Sequence, residues 1–381
     1  MHYLDHAATT PVIPEVKEAM LAFLEDDFGN PSSVHAFGRR AKEAVEDARD
    51  RIASAVGASP AEIVFTGGGT EADNLAIKGA VRKLRGNGDH VVAAAFEHHA
   101  VLDTVEWVEA QGVEVTVVPI PESGVVDPEA VAGALRPSTM LVSVMAVNNE
   151  IGTIQPIAQA VKAVKERGPR TVFHTDAVQA LGNIPVDLHD WGVDLAAFAA
   201  HKLGGPKGVG ALFVRSGVPV EALLHGGGQE RGLRSGTLNV SGIAGFGVAA
   251  EIAAKEVEEK SERIGKMRDR LLGGIRTALP DVQVNGDLAQ RVAGNLNISI
   301  PGTEGETLIL LLDGEGIACS SGSACASGAI DPSHVLTAIG VPQNLAIGSL
   351  RFSLGRSSTD ADIDAVLDVL PRVVEQARRA A

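Results

Sequence analysis

The feature that most restricts how this chain can fold is a series of short apolar segments that alternate with amphipathic ones between about residues 62 and 215. Segments such as 71–84 and 100–110 carry apolar residues at spacings of three and four, as amphipathic helices do. Strands this apolar, each followed by a helix, predict a parallel or mixed sheet that is covered on both faces. The strand candidates are EIVF (62–65), HVVAAAF (90–96), VEVTVV (113–118), MLVSVMAV (140–147), RTVFHT (170–175), DLAAFAA (194–200) and VGALFV (209–214).

The rest of the chain predicts a second, smaller α+β unit. A long helix is expected over 241–279, with an interruption near Gly273-Gly274. It is followed by the strand-like segments DVQVNG, NLNISI and SLRFSL, a helix near 304–313 and a final helix at about 359–380.

Composition excludes several classes of function. A formal net charge of −15 argues against direct, non-specific binding of nucleic acid, which needs a basic surface. No apolar run of 18 residues and no leader-like N-terminus occurs, so we expect no membrane partner and a cytoplasmic location. Two cysteines in 381 residues do not form a disulfide framework.

Polar residues follow several strand candidates at the point where each strand ends, which is where doubly wound sheets bind ligands. The turn TGGGTEADN (66–74) could present backbone N–H groups to a phosphate, although taken alone it is better explained as a plain strand-to-helix turn. Each residue alone has an ordinary explanation, but structural residues have no reason to converge on one edge. The other strand ends supply Glu97-His98-His99, Asn148-Asn149-Glu150, Asp176 with Gln179, and His201-Lys202.

Pyridoxal phosphate uses this combination of groups. Lys202 suits the amine that holds the cofactor, and Asp176 suits the carboxylate that keeps the pyridine nitrogen protonated. The imidazole of His98 is the candidate to lie over the ring. The sequence therefore predicts pyridoxal 5'-phosphate as the cofactor.

Cys325 lies in a segment of small residues, SSGSAC followed by Ala-Ser-Gly. A thiol kept for packing usually has bulky apolar neighbours, whereas a Ser/Gly segment should be mobile and accessible. The segment alone leaves two explanations open, a nucleophile on a mobile loop or a Gly/Ser loop that happens to contain a cysteine. Cys319, after EGIA, is expected to be a packing residue at a strand end, and no histidine spacing indicates a metal site.

In nearly its whole length the chain resembles the cysteine desulfurases of the NifS/IscS type, in the class V aminotransferase group of fold-type I pyridoxal-phosphate enzymes. The resemblance depends on many motifs in the same order. They are LDHAATTP (4–11), FGNPSS (28–33), TGGGTEADNLAIKG (66–79), EHHAVL (97–102), VNNEIG (147–152), TDAVQ (175–179), AHKLGGPKGVGAL (200–212), HGGGQERGLRSGT (225–237), SSGSAC (320–325) and SLRFSLGR (349–356).

The resemblance implies an α/β fold of fold-type I, with a large domain built on a mostly parallel seven-stranded sheet and a smaller α+β domain. The large, cofactor-binding domain would cover 15–250. The small domain would combine 1–14 with 251–381 and carry the catalytic cysteine loop at about 319–330.

The resemblance also implies a role for each matching residue. Lys202 would hold the cofactor, Asp176 would pair with the ring nitrogen, His98 would stack on the ring and move protons, and Gln179 would approach the phenolic oxygen. Phosphate would be bound by Gly69, Thr70 and His201, and by Thr237 from the neighbouring subunit, which implies a homodimer. Asn149 and Arg351 would hold the substrate carboxylate, and Cys325 would be the nucleophile.

The implied activity is removal of sulfur from L-cysteine, which gives L-alanine and a persulfide on Cys325. The sulfur would pass to a protein acceptor, either an iron–sulfur cluster scaffold or a relay for tRNA thiolation. The alternatives are a selenocysteine lyase, another class V enzyme, or a binding protein that has lost catalysis. The motif SSGSAC argues against an aminotransferase, and the presence of Lys202 and Asp176 argues against a binding protein without catalysis.

Two departures from the family stand out. Ala199 replaces a serine that would donate to the phosphate, and the segment after the final helix is short for a chain that docks a scaffold.

Overall fold

The computed structural model describes residues 1–321 and 332–380. The strands are β1 His2–Tyr3, β2 Ile63–Thr66, β3 His90–Ala94, β4 Glu114–Val118, β5 Thr139–Ser143, β6 Val172–Asp176, β7 Leu195–Ala199, β8 Gly210–Val214, β9 Gln283–Val284, β10 Asn295–Ser299, β11 Ile317–Ala318 and β12 Ser349–Ser353. The helices are α1 Pro14–Leu21, α2 Ala36–Ala55, α3 Gly69–Leu84, α4 His99–Glu109, α5 Pro128–Gly133, α6 Ile157–Arg167, α7 Leu188–Trp191, α8 Val240–Ala278, α9 Gly305–Gly314, α10 His334–Ala338, α11 Gln343–Ala346 and α12 Asp360–Ala380. Among these described helices, none is both long and apolar enough to cross a membrane.

The seven predicted strands of the first unit form one sheet in the order β2-β8-β7-β6-β5-β3-β4. β8 runs antiparallel to both of its neighbours, and the remaining strands run parallel to one another. The predicted fold class, an α/β protein with a large and mostly parallel sheet, is therefore confirmed. Because β3, β5, β6 and β7 are parallel neighbours, the segments that follow them reach the same edge of the sheet.

Alternate residues of each strand belong to different hydrophobic cores on the two faces of this sheet. Phe173 and Phe198 pack on one face with α2, α6 and the first half of α8. Val172 and Leu195 pack on the other face with α3 and α4. The strands are apolar throughout because helices cover both faces.

The smaller unit has its own core, formed around an antiparallel sheet in the order β12-β10-β9 with α9, α12 and the second half of α8. Strand β1 pairs with β11, and Leu4 is buried in this core, so the N-terminus folds with the C-terminal part of the chain.

The expected interruption of the long helix was wrong, because α8 continues over 39 residues. A glycine inside a helix costs about 1 kcal/mol relative to alanine, which does not by itself end a helix. Gly274 also has a packing role, since a Cβ at this position would lie 2.5 Å from Cδ2 of Leu367 on α12. The glycine therefore permits close contact between two helices rather than a break.

Candidate active site

A cleft of about 550 Å³ lies where the segments that follow β3, β6 and β7 meet the first turn of α3. Residues that are far apart in the sequence come together here because the parallel strands end at a common edge. Nine of the residues predicted from the sequence line this cleft, namely Gly69, Thr70, His98, Asn149, Asp176, Gln179, His201, Lys202 and Arg351.

Lys202 lies in a short 3₁₀ turn, Ala200–Lys202, that directly follows β7. Its Nζ donates hydrogen bonds to the carbonyl oxygens of Ala7, at 2.6 Å, and Ala8, at 2.8 Å. Gln179 donates to the same Ala7 carbonyl oxygen at 2.9 Å. The N-terminal segment therefore closes one side of the cleft and fixes the position of the lysine amine.

Asp176 is the last residue of β6, and it is buried at the floor of the cleft. Its Oδ1 accepts a hydrogen bond of 2.9 Å from the backbone N–H of Val178. Burial raises the pKa of Asp176, while His98, this N–H and Lys202 act in the opposite direction. The carboxylate is thus desolvated but has three partners that favour its charged form.

His98 is the N-cap of α4, and its Nδ1 accepts a hydrogen bond of 3.0 Å from the backbone N–H of Ala100. Burial lowers the pKa of His98, against the opposite effect of the Asp176 charge. A neutral imidazole whose Nδ1 is an acceptor carries its proton on Nε2. His98 therefore offers an N–H donor at Nε2.

The first turn of α3 forms one wall of the cleft. Gly69 and Thr70 begin this helix of 16 residues, and its N-terminal N–H groups and dipole favour negative charge. A Cβ on Gly69 would lie 2.7 Å from Cγ2 of Val178, so only glycine allows this close approach. Glu71 keeps the turn in place, because it accepts hydrogen bonds of 2.8 Å from the Gly67 N–H and from Arg234.

His201 and Ala199 complete this wall. Nδ1 of His201 lies 3.2 Å from Oγ1 of Thr9, and burial lowers the pKa of His201 to about 4, so the ring is neutral. The Ala199 Cβ lies 3.5 Å from the position that a Cβ on Gly69 would occupy. Residue 199 is therefore close enough to the helix terminus to contact an anion bound there.

Arg351 enters the cleft from the smaller sheet, on β12. It is 2% exposed, and it donates hydrogen bonds of 2.8 Å to the carbonyl oxygen of Asn149 and to Oδ1 of Asp5. Its Nε and Oδ1 of Asn149 are buried without a hydrogen-bond partner among the described residues. The Nε–H of Arg351 can therefore still donate a hydrogen bond to a ligand, and Oδ1 of Asn149 can still accept one.

The structure adds residues that the sequence analysis did not assign to the site. Asp73 lines the cleft three positions after Thr70, a spacing that places both on one face of α3. His334 and His99 also line the cleft, with ring centroids 4.6 Å apart. The helical spacing was the available signal for Asp73, whereas no local pattern connects His99 with His334.

Two other residues named in the sequence analysis, Thr237 and Cys319, do not line this cleft. Thr237 is exposed and is not part of this cleft. Cys325 and most of the predicted cysteine loop lie outside the described residues. Cys319 is 9% exposed in the smaller core, and burial raises the pKa of its thiol to about 12, as befits the packing residue that was expected.

The profile of the family described as "Aminotransferase class-V" matches residues 2–366. A protein named "Cysteine desulfurase IscS" from Methanosarcina thermophila is 49% identical over 376 residues, which cover 99% of this chain and 92% of the relative. A protein of the same name from Dictyoglomus turgidum is also 49% identical over 376 residues, covering 99% and 95% of the two chains. A solved structure titled "NIFS-LIKE PROTEIN" superposes with a TM-score of 0.93 at 38% identity, covering 99% of this chain and 100% of the other.

Proposed function

The chain belongs to the class V aminotransferase family and, within it, to the cysteine desulfurases, and from this premise we propose that the described cleft binds pyridoxal phosphate and L-cysteine. The observation that carries the proposal is the meeting of Lys202 and Asp176 in one cleft, at the ends of the adjacent strands β7 and β6. A nucleophilic amine and a buried carboxylate beside a helix N-terminus form the set of groups that this cofactor requires.

The residues of the cleft fit the cofactor. Asp176 would face the ring nitrogen, because its surroundings favour a carboxylate despite burial. The first turn of α3, with Gly69 and Thr70, would bind the phosphate together with the neutral ring of His201. The unpartnered Oδ1 of Asn149 would accept a hydrogen bond from a ligand.

When bound, pyridoxal phosphate supplies an electron sink that weakens bonds at the amino-acid carbons. Arg351 would orient L-cysteine by its carboxylate, through the guanidinium nitrogen that has no partner among the described residues. Nζ of Lys202 would take the α-proton, and Nε2 of His98, which carries a proton in the neutral ring, would return or relay one.

We propose that Cys325 receives the sulfur, as its match to the family motif implies. Its thiolate would attack the sulfur of the substrate, so that an S–S bond forms and the C–S bond breaks. The electron pair of the broken bond returns to carbon, which takes up a proton and leaves as L-alanine. The persulfide on Cys325 would then pass its outer sulfur to a protein acceptor, for iron–sulfur cluster assembly or tRNA thiolation.

Two further proposals concern assembly. Thr237 is exposed on a segment tied to α3 by the ion pair of Arg234 with Glu71, and we propose that it reaches the phosphate of a second copy in a homodimer. We also propose a large domain at 15–250 and a small domain formed by 1–14 and 251–381. Support comes from α8, whose two halves belong to different hydrophobic cores.

The test of the cofactor site is reduction of the purified protein with borohydride, followed by mass spectrometry of its peptides. The cofactor should be fixed on the peptide that contains Lys202, and Lys202→Ala should abolish this product. Lys207→Ala is the matched control, since Lys207 is exposed in the same loop. A colourless protein that gains no absorbance with added pyridoxal phosphate would contradict the proposal.

The test of the sulfur-transfer step is Cys325→Ser, with Cys319→Ser as the control. Cofactor absorbance should persist in both variants, while formation of alanine and persulfide from L-cysteine should be lost only in Cys325→Ser. Continued sulfide release at the normal rate would exclude Cys325 as the nucleophile. Rates on L-cysteine and selenocysteine, measured side by side, separate a desulfurase from a selenocysteine lyase.

A further inference from the structure

Three buried carboxyl groups surround the floor of the cleft. Asp73 on α3 and Glu97 after β3 are 1% and 0% exposed, and Asp176 at the end of β6 is 5% exposed. Burial, followed by the charge of Asp176, raises the pKa of both other groups. Three negative charges in one desolvated region would repel one another strongly, so the carboxyl groups cannot all be ionised.

The hydrogen-bond partners indicate which group carries the charge. Asp176 accepts from the Val178 N–H and faces His98 and Lys202, all of which favour its ionised form. Glu97 accepts one hydrogen bond, of 2.5 Å from the Met145 N–H, and its Oε2 has no partner among the described residues. Burial, followed by the charges of Asp176 and Glu97, holds the pKa of Asp73 well above its usual range.

His174 is the nearest partner of Asp73. It lies on β6 two positions before Asp176, so the two side chains project from the same face of the sheet. Nε2 of His174 is 3.3 Å from Oδ1 of Asp73, but the two atoms form no hydrogen bond, and neither has another partner among the described residues. Nδ1 of His174 lies 2.9 Å from Oγ of Ser143.

His174 is completely buried, and burial lowers its pKa to about 3, so its ring is neutral with one donor and one acceptor nitrogen. Wherever that proton lies, His174 makes no hydrogen bond to Asp73 and carries no charge, so it does not stabilise an ionised Asp73. An ionised Asp73 would therefore add a second buried negative charge near Asp176. A protonated Asp73 would not.

We propose that Asp73 is a protonated positioning residue, which lies against the neutral ring of His174 and leaves Asp176 as the ionised carboxylate of the group. The proposal depends on the assignment of Asp176 to the ring nitrogen made above. Asp176 would pair best with a protonated ring nitrogen of the cofactor when no second carboxylate nearby competes for that proton. Asp73 thus acts through Asp176 and need not touch the substrate.

The direct test is infrared spectroscopy of the purified holoenzyme in H₂O and D₂O at neutral pH. The wild-type protein should show the carbonyl band of a protonated carboxylic acid that shifts on deuteration. Asp73→Asn should lose one component of that band, and Glu97→Gln should lose another. Asp190→Asn is the matched control, because Asp190 is exposed and its loss should leave the band unchanged.

Absence of any protonated-acid band in the wild-type protein would overturn the inference without the use of a variant. A band that Asp73→Asn leaves intact would overturn it as well. Neither result depends on catalytic activity, so both remain informative if the proposed sulfur-transfer role of Cys325 fails.

A second readout is the pH dependence of the cofactor absorbance. Asparagine is neutral and has nearly the shape of a protonated aspartate, so Asp73→Asn should leave the titration midpoint where the wild type has it. If Asp73 were ionised in the native protein, removal of its charge should move the midpoint by about one unit or more. Asp176→Asn removes the charge proposed to pair with the ring nitrogen, so it should move the midpoint strongly and serves as the reference for a large shift. A wild-type protein without any cofactor absorbance would refute the proposed function, while the infrared test of Asp73 would still apply.

Discussion

Glu230 is a single residue whose removal should destabilise both an edge of the large sheet and the segment that carries Thr237. The side chains of Glu230 and Arg49 are 2% and 5% exposed and are joined by two hydrogen bonds of 2.8 Å. β2 is at the end of the sheet order, so one of its edges has no neighbouring strand among the described residues. Glu230 accepts the N–H of Phe65 on that edge at 2.7 Å, and Arg49 donates to the carbonyl oxygen of Ile63 at 2.8 Å.

The magnitude for Glu230→Ala follows from these contacts. Removing one partner of a buried ion pair costs about 3–5 kcal/mol, and the lower end applies here because Glu46 still lies 3.2 Å from Nε of Arg49. The Phe65 N–H would also lose its acceptor, at a cost of about 1–3 kcal/mol. Glu230 and Arg231 have left-handed backbone angles, with φ of 48° and 57°, and the substitution does not relieve this strain because alanine also has a Cβ. A net loss of about 4 kcal/mol is expected.

The assay is thermal unfolding of the purified protein. For 381 residues the entropy of unfolding is about 0.8 kcal/mol/K, so a loss of 4 kcal/mol lowers Tm by about 5 °C. The control is Glu129→Ala, which removes an ion pair to Arg167 in which the side chains are 68% and 47% exposed. It should cost less than about 1 kcal/mol. The reasoning fails if Glu230→Ala lowers Tm no more than the control does.

A double variant, Arg49→Met with Glu230→Leu, separates the ion pair from the other contacts. It removes both charges, so it should recover a large part of the loss seen in Glu230→Ala. If the double variant is less stable than Glu230→Ala, the buried charge that Arg49 keeps in Glu230→Ala is not the main cause of the loss.

Three further predictions concern other residues. Ala199→Ser should bind pyridoxal phosphate about two- to tenfold more tightly, because it adds a hydroxyl donor near the α3 terminus; equal dissociation constants by absorbance titration would contradict this. Burial holds the thiol of Cys319 protonated, with a pKa of about 12, so Cys325→Ser protein should show no fast-reacting thiol until it is unfolded. Burial and then the charge of Lys260 lower the pKa of His6 to about 4. Between about pH 6.5 and pH 4 the unfolded chain therefore binds a proton at His6 that the folded chain does not, which lowers stability as pH falls. The free energy of unfolding of His6→Asn should consequently fall less steeply than that of the wild type in this range, by about 1.4 kcal/mol per pH unit. Parallel profiles of unfolding free energy against pH for the two proteins would disprove the prediction.

The large sheet and most of the cleft could be predicted from the sequence because their signals are local. Seven apolar segments separated by amphipathic helices specify a sheet covered on both faces, and parallel strands bring their carboxyl ends together. The placement of Asp176 and Lys202 in one cleft follows from that geometry alone. The prediction of a break at Gly273-Gly274 was wrong because it considered only the unfavourable effect of glycine on the helix backbone. The close contact of Gly274 with Leu367 depends on a helix more than 80 positions away.

The contacts that the sequence did not indicate join the N-terminal segment to residues far away in the chain. The carbonyl oxygens of Ala7 and Ala8 hold the Lys202 amine, and Asp5 pairs with Arg351 across 346 positions. Backbone carbonyls have no sequence signature, and an aspartate has no local feature that identifies a distant arginine as its partner. Yet these contacts decide where the reactive amine and the proposed carboxylate-binding guanidinium lie. Strand ends thus determine which residues meet at this cleft, whereas the N-terminal segment, which pairs with β11 and lies against β12, determines their orientation.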